Sequence, residues 1–523
     1  MGFFFTQIKY SPVLVAACVL ASASYPPIPV DKTTPHQQRI AINGANGMLE
    51  PRLPISIDCW IMSNDSPSAI SVGWNTYQQI TQPCVQYGLS STALTSQACS
   101  TSSITYPTSR TWSNSAILSD LKPATTYYYK IVSTNSSIEH FLSPRTPGDK
   151  TSFSMNAVID LGVYGEDGYT INMDGTKRDT IPLVMPSLNH TTIGRLASTI
   201  DHYELVVHPG DFAYADDWFL RLKNVFDGKN AYEAILENFY DQLAPISARK
   251  PYMVSPGNHE AHCEEIPFAS SLCPTGQTNF TDFMNRFGNT MPTAFASTSP
   301  NSIVKVLANK AKLLANPPFW YSFEYGMVHV VMFNTETDFA NAPDGPGTIL
   351  NGGPFGAANQ QLEFLEADLA SVDRTVTPWI VVGGHRPWYS TGGLGCKPCQ
   401  AAFEPILYKY GVDLAIFGHV HNSQRFLPVY NGVADPNGMN NPRAPVYIVA
   451  GGAGNIEGLI PVGAKPAFNA FAYDDDFSYA TVKFIDSNNL QIDFIRSSTG
   501  AVLDSSVLYK AHKAHNKLFV VQP

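Results

Sequence analysis

After Thr146-Pro147-Gly148, short runs of consecutive apolar residues alternate with stretches in which apolar side chains return every three to four positions. Ile193, Leu196, Ala197 and Ile200 form one helical stripe, and the run Leu205-Val206-Val207-His208 follows it. Leu362, Leu365 and Leu369 precede Trp379-Ile380-Val381-Val382 in the same way. Phe403, Ile406, Leu407 and Tyr410 form a third stripe, stopped by Gly411 ahead of Leu414-Ala415-Ile416-Phe417. Repeated helix-then-buried-strand units predict an α/β domain with sheet covered on both faces. Ahead of Pro147, back to about Ile40, the pattern differs. Short alternating runs rich in Ser, Thr and Tyr are separated by turn residues, without a long helical period, which predicts a β-sandwich. From Glu264 to Phe319 periodicity is weaker, and this stretch is expected to be an elaborated insertion near the functional site. No internal repeat of fixed period and no low-complexity segment stands out.

At 523 residues the chain exceeds what a single core usually organises. The expected divisions are an export signal over 1–23, a sandwich over 36–148 and a catalytic domain over 151–515. The leader reading rests on Lys9, the apolar run Val13 to Leu20 and the small residues Ala21-Ser22-Ala23. No later stretch approaches the roughly 20 apolar residues a membrane helix requires, so no membrane partner is expected. A net charge of −10 with 15% charged residues offers no basic stripe for nucleic acid. In an oxidising compartment Cys84 is expected to pair with Cys99, Cys263 with Cys273 and Cys396 with Cys399, leaving Cys59 unpaired in the strand around Trp60. Cys396-Lys397-Pro398-Cys399 also has zinc-binding spacing, but without a second such pair nearby a loop disulfide is the better reading. Asn64, Asn135, Asn189 and Asn279 each head an Asn-x-Ser/Thr sequon suited to a secreted, glycosylated surface. The segment from Leu121 to Ile131, Leu-Lys-Pro-Ala-Thr-Thr-Tyr-Tyr-Tyr-Lys-Ile, resembles the corner and strand of fibronectin type III modules, in which a tyrosine hydroxyl ties the turn to the backbone. Such modules mostly pack and position.

Chemistry enters where polar donors recur just past the apolar strands, the edge at which open α/β sheets bind ligands. Ala157-Val158-Ile159-Asp160-Leu161-Gly162 ends in a carboxylate. Val207-His208-Pro209-Gly210-Asp211-Phe212-Ala213-Tyr214 offers a second carboxylate and a phenol. Met253-Val254-Ser255-Pro256-Gly257-Asn258-His259-Glu260 presents an amide oxygen beside an imidazole, and Gly383-Gly384-His385-Arg386 another imidazole. Ile416-Phe417-Gly418-His419-Val420-His421 places two imidazoles on one side of an extended segment. Each block alone is commonplace; in succession they point to one metal site.

Together these blocks resemble those of purple acid phosphatases within the metallophosphoesterase superfamily, from about Phe153 onward. The preceding sandwich matches the amino-terminal module of the larger plant-type members. Ala444-Pro445-Val446-Tyr447-Ile448, leading to Gly454-Asn455-Ile456-Glu457-Gly458, is similar to the family's carboxyl-terminal region. The resemblance implies mixed β-sheets sandwiched by helices in a metallophosphoesterase domain. It implies Asp160, Asp211, Tyr214 and His421 as ligands of Fe(III), and Asn258, His385 and His419 with the shared Asp211 as ligands of a divalent ion, Zn, Fe or Mn. Donor chemistry agrees: hard anionic oxygens favour a trivalent cation, while imidazoles and an amide suit a divalent one. Gly162 stands where related phosphodiesterases carry the histidine of Asp-x-His, and Tyr214 supplies the replacement donor.

The expected function is a secreted acid phosphatase acting on small phosphate monoesters (phytate, sugar phosphates or nucleotides) through a water ionised between two metals. Asp211 and His259 are the candidate catalytic residues, His259 as proton donor to the leaving group or as a phosphate contact. Asn258, His259 and Arg386 are candidate substrate contacts, with Arg386 either gripping phosphate or salt-bridged to the scaffold. Plant members carry further histidines in the stretch that reads Ser390-Thr391-Gly392-Gly393-Leu394-Gly395 here, so His259 is expected to take the larger share of proton transfer. A phosphodiesterase or nucleotide pyrophosphatase on the same scaffold, and a secreted binding protein with a vestigial site, are the alternatives. A homodimer is left open.

Overall fold

The computed structural model describes residues 56–60, 69–132, 136–163, 190–220, 228–264, 273–292 and 297–512. The leader, Cys18 and the sequons at Asn64, Asn135 and Asn189 lie outside them, while Asn279 is exposed.

The amino-terminal strands are β1 (Ser56–Trp60), β2 (Ala69–Thr76), β3 (Cys84–Gly88), β4 (Ser96–Cys99), β5 (Ser103–Ile104), β6 (Trp112–Leu118), β7 (Thr126–Ile131) and β8 (Glu139–Leu142). They form two antiparallel sheets ordered β1-β2-β6-β5 and β4-β3-β7-β8. Alternation drives Val85, Tyr127, Tyr129, Ile131 and Phe141 inward against Ile70, Val72 and Trp74. The expected tyrosine corner is present, with the Lys122 amide donating to the Tyr127 hydroxyl at 3.0 Å. Cys84 and Cys99 face each other across β3 and β4 and are disulfide-bonded. The Cys263–Cys273 and Cys396–Cys399 disulfides also form, so the Cys-x-x-Cys is a disulfide.

The remaining chain builds two mixed sheets with helices against them. The first has the order β11-β10-β9-β21-β22-β23, in which β9 (Phe153–Ala157), β10 (Leu205–Pro209) and β11 (Tyr252–Ser255) run parallel. The strands β21 (Ser478–Phe484), β22 (Asn489–Arg496) and β23 (Val502–Tyr509) extend it antiparallel. The second is ordered β12-β13-β14-β15-β19-β16-β20. Its parallel centre is β13 (Val328–Met332), β14 (Trp379–Gly383), β15 (Leu414–Phe417) and β19 (Val446–Ala450). Antiparallel β12 (Tyr321–Tyr325), β16 (Ser423–Phe426) and β20 (Asn469–Tyr473) flank it. A ribbon of β17 (Val429–Tyr430) and β18 (Val433–Ala434) stands apart. Central strands such as β14 and β15 are buried along their whole length, which is why their sequences read as unbroken apolar runs.

The segment read as a weakly periodic insertion contains two helices, Thr281–Phe287 and Ser302–Leu314. The second hides from a periodicity reading because its buried face is Ala308 and Ala311. Ile303, Val306 and Leu313 are 47%, 66% and 85% exposed.

The sandwich docks on the helix Gly228–Ser247 through a polar seam. Thr108 Oγ1 and Gln277 Nε2 donate to Glu233 Oε1 at 2.7 and 3.0 Å, and Arg110 pairs with Glu237. The Tyr106 hydroxyl lies 2.7 Å from Asp282 Oδ1 and 2.6 Å from Glu233 Oε2, while Arg286 Nε donates to Asp282. One hydroxyl has one proton to give, so both contacts are hydrogen bonds only when Glu233 carries a proton of its own. Burial, then the Asp282 charge, pushes Glu233 from 4.5 up to about 7. A raised folded pKa gives stability that is fully present below pH 4.5 and lost as pH rises through 7. Glutamine mimics the protonated acid. Urea unfolding of Glu233→Gln should therefore match wild type near pH 4.5 and exceed it by up to about 3 kcal/mol at pH 8. A difference independent of pH would refute the protonated seam.

Candidate metal centre

The carboxyl ends of β9, β10 and β11 from one sheet meet those of β14 and β15 from the other, and every expected donor sits in the turn leaving one of these strands. The approach is close. Gly210, at φ +91°, lies so near Gly257 that a Cβ on it would stand 2.5 Å from the Gly257 nitrogen, and one on Gly257 would stand 2.2 Å from Asp211 Oδ1. Glycine is needed there for space as well as conformation. Asp160, Asp211, Tyr214 and His419 adopt left-handed backbone angles, with φ of 59°, 54°, 55° and 63°. For non-glycine residues such angles cost on the order of 1 kcal/mol or more each, and they concentrate where function over-determines the backbone.

All seven side chains expected as ligands are brought together. Around the Tyr214 hydroxyl lie His421 Nε2 at 2.9 Å, Asp160 Oδ1 at 3.1 Å and Asp211 Oδ2 at 3.4 Å. The same Asp211 oxygen is 2.9 Å from His385 Nε2, which is 3.1 Å from Asn258 Oδ1. Ligand atoms of Asp211, His385 and His419 lie within 4.8 Å of one another. Asp211 thus touches both halves of the cluster. Neighbours set ring orientation: His385 Nδ1 lies 3.1 Å from the Pro209 carbonyl and His421 Nδ1 3.2 Å from that of Gly458, and the His419 amide donates to Asp160 Oδ2 at 2.8 Å.

The electrostatics of this pocket fit cations. Asp160 and Asp211 are fully buried. Burial and the Asp211 charge hold the Asp160 carboxyl well above the usual carboxylate range. Burial pushes against ionisation of Asp211 too, but the imidazoles of His385 and His259 outweigh it and hold that carboxyl well below. Burial, with Asp160 and Asp211, raises the Tyr214 phenol. Burial and Arg386 hold His419 well below the ordinary imidazole range, and burial with His259 lowers His421 to about 3. Imidazoles, carboxylates and a phenol crowded together out of water are the donor set of divalent and trivalent metals.

His259 sits beside this cluster rather than within it. Its ring stacks on Tyr214 with centroids 4.0 Å apart, and its Nε2 is 3.8 Å from Asp211 Oδ2. Its Nδ1 lies 2.9 and 3.0 Å from the two oxygens of Asp216, a partner sequence reading missed although it lies two residues after Tyr214. Glu260 was also missed. Its carboxylate accepts from the amides of Asp211, Phe212 and Gly257 at 2.8–2.9 Å, which ties two ligand turns together, and burial and Asp211 raise it to about 8. The phosphate-contact expectation for Arg386 is not the one this arrangement favours. Its Nε pairs with Glu336, its Nη2 with Asp344 at 3.1 Å, and its Nη1 donates to His419 Nε2 at 2.9 Å. Glu336 and Asp344 come from the loop after β13, where neither residue announces itself in sequence. The scaffold reading of Arg386 is the better one.

Family models place these observations among known proteins. Residues 60–146 match "Purple acid Phosphatase, N-terminal domain", residues 189–423 match "Calcineurin-like phosphoesterase", and residues 444–505 match "Iron/zinc purple acid phosphatase-like protein C". Acid phosphatase A of Cryphonectria parasitica is 64% identical over 95% of this chain and 96% of its own length. An acid phosphatase of Aspergillus ficuum is 28% identical over 76% of each chain. The structure of a purple acid phosphatase from yellow lupin (Lupinus luteus) seeds has the same fold, with a TM-score of 0.62 at 22% identity, covering 87% of this chain and 74% of that one.

Proposed function

This chain belongs to the purple acid phosphatase family and is a metal-dependent acid phosphatase, and on that footing we propose that it hydrolyses small phosphate monoesters at an Fe(III)–M(II) pair. In this reading Asp160, Tyr214 and His421 hold the ferric ion, Asn258, His385 and His419 the divalent one, and Asp211 both. When bound, such a pair supplies Lewis acidity to phosphoryl oxygens and makes water at the site more acidic.

The observation that carries this reading is the Tyr214 phenol, buried 2.9 Å from His421 Nε2 and 3.1 Å from Asp160 Oδ1. A phenolate among hard oxygens selects a trivalent cation and colours it through ligand-to-metal charge transfer. Purified enzyme should contain two metals per chain, one of them iron, and absorb in the visible; Tyr214→Phe should lose the band and lower activity by about tenfold or more. An unchanged visible spectrum in Tyr214→Phe sinks the ferric assignment.

The chain's own groups account for the remaining steps. Asp216 faces Nδ1 of His259, which leaves Nε2 directed at the metal cluster to protonate the departing alkoxide. Asn258 and His259 enter the pocket from one turn, so both can touch the phosphoryl group. Arg386 fixes His419 from the side away from the metals. A phosphate-release panel with matched mono- and diesters at several pH values tests substrate class; faster diester turnover would establish the phosphodiesterase alternative.

Export is part of the same proposal. Its support is the leader pattern over 1–23 and three disulfides, which persist in oxidising compartments. Among the described residues no helix is long and apolar enough to cross a membrane.

A further inference from the structure

A cleft of about 240 Å³ opens between the sandwich and the catalytic domain, lined by Thr126 and His140 from β7 and β8 and by Asp201, Tyr203, Arg249 and Lys250. It lies far from the metal cluster. Tyr203 precedes β10 and Lys250 precedes β11, whereas Asp211 and Asn258 follow those strands. At about 3.3 Å per residue the strands alone, of five and four residues, separate the two sites by roughly 13–17 Å.

Lys250 is only 8% exposed, yet its ammonium makes no hydrogen bond or ion pair with a described residue. It lies over the Tyr203 ring, 5.5 Å from its centroid. Burying a lysine without a partner is costly, and burial lowers its pKa. Arg249, next in the chain, is also under-used. Its Nε is buried without a hydrogen-bond partner among the described residues, and its Nη2 donates to His140 Nε2 at 3.0 Å and lies 3.4 Å from Asp201, whose side chain is 84% exposed. Glu204, which also lines the cleft, is already held by Arg145 Nε and Nη2, both at 2.7 Å, and by the Tyr325 hydroxyl at 2.8 Å, and Glu139 is the further acid that feels Arg249. Two cations therefore converge on a cleft whose two lining carboxylates are the solvated Asp201 and Glu204, the latter already paired with Arg145.

We propose that this seam binds a tetrahedral oxyanion, inorganic phosphate, the product of the enzyme's own reaction. The guanidinium's Nη1, which makes no hydrogen bond with a described residue, can donate to phosphate oxygens, the ammonium supplies a second charge, and the Thr126 hydroxyl stands on the lining as a further donor. Because both domains contribute, occupancy ties sandwich to catalytic domain.

Equilibrium dialysis of labelled inorganic phosphate against the metal-loaded enzyme decides the matter. Wild type is expected to bind two phosphates per chain, one at the metal centre and one at the seam. Lys250→Met and Arg249→Gln should each weaken the second event by about tenfold or more and leave kcat unchanged. In phosphate-free buffer Lys250→Met should unfold at the same or a higher temperature than wild type, since a largely buried lysine with no ion pair among the described residues has gone; if it does not fold, Arg249→Gln carries the test. A single phosphate per wild-type chain, or two undiminished in a folded variant, overturns the proposal.

Discussion

Asp211→Asn is expected to leave the protein folded, holding fewer than two metal ions per chain, with kcat/KM lowered on the order of 10³-fold or more. Asparagine keeps the volume, tolerates the left-handed angle of φ 54°, and retains an oxygen to accept from the His259 amide, which donates to Oδ1 at 3.0 Å. What disappears is the charge on Oδ2, the atom 2.9 Å from His385 and 3.4 Å from Tyr214. An amide nitrogen there would point a donor at atoms that themselves need a cation. Elemental analysis, circular dichroism and steady-state kinetics together check this. Two metals retained with activity within tenfold of wild type would show that Asp211 does not join the two halves of the cluster.

A second large effect is expected at His259. If its Nε2 delivers the proton to the leaving group, His259→Asn should lower kcat on alkyl phosphates by about 10²- to 10⁴-fold. With p-nitrophenyl phosphate the loss should be far smaller, because nitrophenolate departs without protonation. Metal content should not change, since the side chain is not among the expected ligands and the backbone amide of residue 259 keeps its hydrogen bond to Asp211 Oδ1. Asp216→Asn should reproduce the leaving-group dependence more weakly, by about 10- to 100-fold, because Asp216 acts by orienting the ring 2.9 Å away. An equal loss on both substrates would make His259 a phosphate contact and not the acid.

The sequence by itself determined much of what depends on near neighbours. Unbroken apolar runs placed β10, β14 and β15 within a residue of their observed ends, and helical stripes located the helices Gln360–Ala370 and Lys397–Lys409. Cysteines close in sequence found each other, and the donors at strand ends could be named because side-chain chemistry and strand direction are local properties. The helix Ser302–Leu314 escaped because its contact face is alanine, whose burial leaves little trace in an apolar pattern.

Only the tertiary structure decided which distant groups meet. Arg386 was undecided in sequence between substrate and scaffold; the tertiary structure sets Glu336 against its Nε and Asp344 against its Nη2, which favours the scaffold. Asp216 and Glu260 became legible as supports for His259 and Asp211 once β10 and β11 stood side by side. The proton shared among Tyr106, Glu233 and Asp282, and a Lys250 without an ion pair among the described residues, exist only at a seam between domains. Hydrogen bonding and desolvation act through space over a few ångströms, while the residues concerned are separated by tens to hundreds of positions, so their pairing and their pKa values belong to the fold and not to any window of the chain.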